Sequence, residues 1–332
     1  MAKSDIIKAS SFDFGEAVSV LFKQQGGRNF TIRLVLWSAV LLMLVFALCG
    51  KTYMEMMGVM LEASWIAQQD GQTPEAILGA YKGFGKYVPI MVAMTIGTWA
   101  VYASAETALQ KRVFKNIDYG FIPLRFGRDE LRTMGTQFMV YLMVLGVMLL
   151  WMLGFIIVTI VFALGASLSV VLAILIGIVL FVMYIAMFVY LIHFSIRMAP
   201  SAALGTQSGK MKVTGGWNIT RKRTGSLFLA YLFIAVVSYI ALSIIQVAMF
   251  SLVLPENYML LMMGLSEENP RILFEQIGDK LQSPGPMLAL VISGMAYAII
   301  TMMGWLSISG IAIYAVQWWQ HDQETSGVDV FD

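Results

Sequence analysis

The sequence predicts an all-α, polytopic membrane protein of six transmembrane helices with short interfacial helices between them. Six apolar stretches read at Phe30–Cys49, Tyr87–Leu109, Met134–Ala163, Leu168–Phe194, Ser226–Leu254 and Met287–Val316. Each is long enough to cross roughly 30 Å of bilayer hydrocarbon as a helix. Charged residues make up 13% of the chain, against about 25% in an ordinary soluble domain. Finally, 17 of the 22 Lys and Arg residues fall on the N-terminal segment and on alternate connections. By the positive-inside rule that side is cytoplasmic and holds both termini.

Little is left over for a soluble catalytic domain. The longest connections, Gly50–Lys86 and Pro255–Pro286, fall below the roughly 40 residues at which a domain without extra staples becomes hard to stabilise. The chain divides into a cytoplasmic interfacial segment at 1–29, a six-span membrane domain at 30–316 and an acidic tail at 317–332. The segment before Phe30 lacks a continuous apolar run and carries Asp5, Asp13 and Glu16, so no cleavable signal is expected. A single cysteine, Cys49, excludes an intramolecular disulfide and a cysteine-based metal site.

In chain order, Asp13 is placed to cap a first helix, with Glu16 at the capping-box position. Phe14, Val18, Leu21 and Phe22 form one apolar stripe, which predicts a helix lying in the inner interface. After the first span, Tyr53, Met57, Met60, Leu61 and Ser64 share a helical face in the first outer connection. Pro123 predicts an extended or turn segment over Phe121–Gly127, before a helix that starts near Arg128. The third connection, Leu164–Ser167, is minimal. In the fifth, Asn269 and Pro270 form a helix start, continued by Leu273, Ile277 and Leu281. An order of interfacial helix, span, outer turn and span recurs from Asp13, Arg128 and about Thr206, so three repeated hairpins are one reading. Any six-span chain with both ends on one side also looks periodic.

The runs Ala105-Glu106-Thr107-Ala108-Leu109, Leu124–Arg132, Arg197–Ala202 and Gly216–Arg221 resemble those of alphaproteobacterial multi-pass inner-membrane proteins. These are similar to the YciC-like group and to the membrane domain attached to some glycerophosphoryl diester phosphodiesterases. The resemblance implies an inner-membrane location and this fold. It carries no active-site residue, because the phosphodiesterase barrel and its metal-binding acids are missing from the sequence.

Chemistry-bearing motifs are scarce. His193 and His321 are far apart, and neither has a His or Cys at ligand spacing. No P-loop, Gly-x-Ser-x-Gly elbow or paired intramembrane carboxylate appears. Met54, Met56, Met57 and Met60, with Met259, Met262 and Met263, form a thioether set of the kind that binds Cu(I), but Met is scattered throughout and serves equally as packing filler. Ser293, Thr301, Ser307 and Ser309 beside Gly294, Gly304 and Gly310 read as close helix packing.

Two intramembrane polar residues remain. Glu106 is one turn before Lys111 and Arg112 and is expected to pair with them or with a neighbouring basic residue. Gln246 reads as the one strong polar side chain well inside a span. On the cytoplasmic side, Trp217 beside Arg221, Lys222 and Arg223 reads as an anchor and a site for anionic lipid headgroups.

The sequence therefore predicts a non-enzymatic membrane protein, without cofactor, metal or nucleic acid. It would serve as an accessory subunit, scaffold or envelope-homeostasis factor. Its partners would be anionic lipids and another membrane protein or a second copy. The alternative is a transporter or channel for a lipidic or apolar molecule. Reporter fusions at Gln72 and Asp332 are expected to give opposite readouts; the same readout at both would overturn the topology drawn from the Lys and Arg distribution.

Overall fold

A computed structural model describes residues 13–23, 27–68, 79, 83–166, 169–221, 223–253, 276–280 and 282–326. Regular structure among these residues is entirely helical. Six helices are long and apolar enough to cross a membrane.

Helix α1 (Phe14–Lys23) starts where the sequence places it: the Glu16 amide donates to Asp13 Oδ1 at 3.0 Å. The reciprocal half of the capping box is replaced. The Asp13 amide donates to the Tyr314 hydroxyl at 3.2 Å, which ties the start of the first helix to the end of the last. The buried face of α1 is Ala17, Val20 and Leu21, while Phe14 and Phe22 of the expected stripe are exposed. Opposite this face is α9, where a Cβ placed on Gly310 would lie in ordinary contact with Val20, at 3.8 Å. The two rings flank the contact, and Phe14 meets Phe233 edge-on at 5.6 Å.

Helix α2 (Gly27–Gln68) holds the first span and runs on through Tyr53, Met57 and Met60, so that apolar face belongs to one continuous helix and not to a separate capping helix. At about 1.5 Å per residue its 42 residues extend about 63 Å, roughly twice the hydrocarbon thickness. A 3-10 turn (Phe84–Tyr87) leads into α3 (Val88–Lys115), whose first turn contains Pro89. The helix stops at Asn116, which takes the left-handed conformation (φ 51°) that asparagine tolerates best after glycine. Irregular chain then runs to Gly127, as Pro123 predicts, and α4 (Arg128–Ala166) follows with Asp129 and Glu130 in its first turn.

Helices α5 (Val170–Met198), α6 (Ser201–Ser208), α7 (Gly215–Thr220), α8 (Thr224–Val253) and α9 (Pro284–Ser326) complete the chain. The segments preceding the first, third and fifth spans are thus one helix, an irregular stretch and two short helices, three different structures. The acidic tail is helical as far as Ser326, because α9 continues unbroken through it. Asn269, Pro270 and Leu273 lie outside the described residues; 276–280 are helical.

Helix α9 is the centre of the bundle and packs against α1, α2, α3, α6, α7 and α8. Its small residues make the close contacts expected of them. A Cβ on Gly304 would stand 2.6 Å from Ser238 Oγ of α8, and one on Gly294 would stand 3.1 Å from the Met43 methyl of α2. The core follows this axis: Leu34, Leu42, Leu109, Leu227, Met302, Leu306, Ile311, Ile313 and Tyr314 are all buried.

The hairpin α4–α5 behaves differently. No described residue between Gln137 and Ser195 is buried, so the two helices leave the bundle as an apolar arm rooted only at their charged ends.

Helix propensity alone favours Ala over Gly by about 0.8–1 kcal/mol, so the sign of two substitutions tests this packing. Gly304→Ala is expected to destabilise the protein by about 1–3 kcal/mol through overpacking against Ser238. Gly146→Ala on the arm, where a Cβ meets nothing within 4 Å, is expected to be neutral or stabilising. Thermal unfolding in mild detergent separates them; equal shifts would contradict the central role of α9.

Candidate functional site

Buried polar groups gather at one end of the bundle, the end that carries Lys111, Arg125, Arg128 and Arg197. Lys111 is 7% and Glu130 3% exposed, and Lys111 Nζ stands 2.9 Å from Glu130 Oε1 and 3.0 Å from Asp129 Oδ2. Arg132 holds the other Asp129 oxygen at 2.9 Å. This cluster fastens the end of α3 to the start of α4. One turn away, Thr107 donates to Thr133 at 2.7 Å, and Thr133 lies 3.3 Å from Thr206, which brings α6 into the same layer.

Glu106 lies deeper, nine residues before the end of α3. It is buried and makes no ion pair among the described residues, so the expected pairing with Lys111 or Arg112 is corrected. Lys111 is drawn to the two acids of α4, and Arg112 lies 3.8 Å from Asp118. Amides surround the carboxyl instead. Gln110 Nε2 donates to Oε1 at 2.8 Å and Gln137 Nε2 donates to Oε2 at 2.6 Å. Ser309 and Trp305 of α9 stand beside the same carboxyl. Amide donors on both oxygens meet part of the desolvation cost of a carboxyl in hydrocarbon.

The carboxyl forms part of the wall of a pocket of about 360 Å³ between α3, α4, α5, α6 and α9. The polar part of the wall is Glu106, Gln137, Thr136, Ser195 and Ser309, and Val140, Val144, Met198 and Ile308 make it apolar elsewhere. Tyr141 and Ser195 at its edge are exposed, so the pocket opens where the α4–α5 arm leaves the bundle. One buried polar atom of its wall, Gln137 Oε1, has no hydrogen-bond partner among the described residues. Such a wall can hold a ligand that is apolar along most of its length and polar at one end.

Other sequence candidates lie elsewhere. Gln246 is exposed on α8 and does not line the pocket, so Glu106 and Gln246 do not form one intramembrane site. Trp217 is partly buried: the Arg197 guanidinium stacks 3.7 Å above its ring while Arg197 Nη2 donates to its carbonyl at 2.7 Å. His193 meets the same indole edge-on at 6.4 Å. Gly216 makes this elbow possible, since a Cβ there would stand 2.6 Å from the Arg197 carbonyl oxygen. Arg221 is exposed, whereas Arg223 stacks at 4.3 Å on Trp318 of α9; Lys222 lies outside the described residues. Met259, Met262 and Met263 of the thioether set also lie outside them. Among the described residues no group of three His, Cys, Asp or Glu side chains could hold a metal ion.

Sequence reasoning missed Gln110, Gln137, Trp99, Tyr141 and Trp305. The signal for Gln110 was present, because Glu106 and Gln110 are four apart and share a helix face. Gln137 is three residues inside the third span and makes Gln246 less singular than it reads. No protein-family model, no curated protein and no solved structure matches the chain.

Replacing Lys111 by Met should destabilise the protein by about 3–5 kcal/mol, because Glu130 would be left buried without its cation. Replacing Lys111 by Met and Glu130 by Leu together should restore much of that loss in thermal unfolding. A single variant as stable as the parent would mean that the cluster is not a clamp.

Proposed function

We propose that the protein is a non-catalytic, multi-pass protein of a bacterial inner membrane that binds a lipid-like amphiphile at the Glu106 pocket. It would act as an accessory or envelope-homeostasis factor through that contact. The observation that carries the reading is the pocket itself: a largely apolar cleft of about 360 Å³ with Glu106, Gln137 and Ser309 in its wall, beside a helical arm with no buried side chain among the described residues. A ligand reaching it along the bilayer would keep its chain in hydrocarbon while its polar end meets Glu106, Gln137 and Ser309.

The same geometry weighs against an enzyme. Glu106 is flanked by amides, a serine and an indole, with no second carboxyl or histidine on the pocket wall among the described residues. Transport of a lipidic molecule is the second reading, favoured by lateral access at the root of the arm. It lacks a described polar path toward the other face, and Gln246 does not supply one.

In this reading the end bearing Lys111 and Arg197 faces the cytoplasm with both termini, as the distribution of Lys and Arg supports. The pocket then lies in the inner-leaflet half of the bilayer. Exposed Arg221 with partly buried Trp217 would meet anionic headgroups there, while Arg223 is engaged with Trp318.

Val144 lines the pocket from α4, and Val144→Trp is expected to fill it. The protein should retain its thermal unfolding temperature within a few degrees and lose most of the amphiphile that co-purifies from native membranes in mild detergent. An unchanged bound-lipid profile by native mass spectrometry would refute the pocket as the site.

A further inference from the structure

We infer that the Glu106 pocket selects an amphiphile whose polar end is an ammonium group, a protonated amine or a quaternary ammonium. This deepens the reading above and rests on it. Glu106 is 5% exposed, and the amides of Gln110 and Gln137 give it hydrogen bonds but no countercharge. The nearest ammonium in sequence, that of Lys111, is engaged by Glu130 and Asp129. A carboxylate in hydrocarbon is best matched by a cation, and within the described pocket wall no Lys or Arg supplies one. The same wall offers an anionic polar end hydroxyl and indole donors but no cation, so such a group meets the Glu106 carboxylate without a compensating charge.

Aromatic residues supply the second, independent observation. Trp99, Tyr141 and Trp305 line the pocket with Glu106. Trp99 and Tyr141 stand edge to face, with centroids 5.9 Å apart and planes at 89°, Phe138 meets Trp99 at 5.7 Å and Tyr102 packs on Trp305 at 4.9 Å, so the pocket is bordered by a cluster of rings. Ammonium groups are attracted to the faces of such rings, and several rings round one site with a carboxylate recognise methylated or primary amines. Neither a neutral nor an anionic polar end gains from that arrangement. The volume of about 360 Å³ is near the lower end of ligand pockets. It suits a headgroup and the first part of a chain, the rest remaining in the bilayer.

Two sources share this chemistry: a membrane lipid with an amine headgroup, and a soluble amine that reaches the site from the basic end. The purified full-length protein in dodecyl maltoside would be titrated with radiolabelled dodecyltrimethylammonium and, separately, with radiolabelled dodecanol of the same chain length. The cation is expected to bind at least ten times more tightly than the alcohol. Glu106→Gln should abolish that preference, and Trp99→Leu should weaken cation binding several-fold with little effect on the alcohol. Should Glu106→Gln fail to fold, the wild-type preference and Trp99→Leu still decide. Equal binding of both probes overturns the ammonium inference and leaves the pocket reading standing. Failure of both to bind, with Val144→Trp unchanged in bound lipid, removes both. In nanodiscs of phosphatidylethanolamine and phosphatidylglycerol, selective retention of the ethanolamine lipid identifies the lipid source. Displacement of the cationic probe by tetramethylammonium alone, without such retention, identifies a soluble amine. Selective retention of phosphatidylglycerol in the pocket contradicts the inference.

Discussion

The structure depends on gathering most of its buried charged and amide side chains at one end of the bundle. Lys111 is the anchor of that arrangement. Its ammonium, 2.9 Å from Glu130 and 3.0 Å from Asp129, joins the end of α3 to the start of α4 and fixes their register. With Lys111 held there, the Thr107–Thr133–Thr206 layer forms, α6 closes over it, and Glu106, one turn deeper, is left to the amides. The rest of each span can then be almost wholly apolar.

Two kinds of packing divide the work. Around α9 the contacts are close and depend on small residues, as at Gly304 against Ser238 and Gly294 against Met43. Between membrane helices there is little hydrophobic drive, so contact distance decides association. Along α4–α5 the reverse holds: large side chains such as Leu149, Leu153, Ile157 and Phe181 point outward, and only the charged roots are held. The pocket occurs at the seam between these two regimes, where tightly packed α9 faces the base of the arm.

Much of this was legible in the sequence and some was not, for physical reasons. Apolar length located all six spans, and Asp13, Pro123 and the small residues of the last span marked real local features. Helix ends were less legible, because α2 and α9 continue as helix well past their apolar stretches, where polarity no longer distinguishes helix from loop. The face that α1 turns to the bundle, Ala17, Val20 and Leu21, was not legible, since it is set by a helix nearly 300 residues away in sequence. At the site, Glu106 was singled out but given the wrong company. Nearness in sequence favours Lys111; nearness across the helix interface favours Gln137 and Ser309. An acid on α4 that competes better for the lysine cannot be seen from α3 alone.

Helix α9 runs from Pro284 to Ser326 without a proline or a break after its first turn, and it touches most of the other elements. A molecule built round such a strut has no hinge in its middle. Rocking of two halves against each other, the motion of transporters with interrupted helices, has nowhere to bend. The connections at the root of the arm are the irregular chain at 116–127, held by Arg33 on Asp118 and by Ser104 on the Arg125 carbonyl, and Ala199–Pro200 between α5 and α6. The arm and the unbroken mast of α9 meet at the pocket, so its wall joins side chains of the most tightly packed helix to those of the most exposed hairpin.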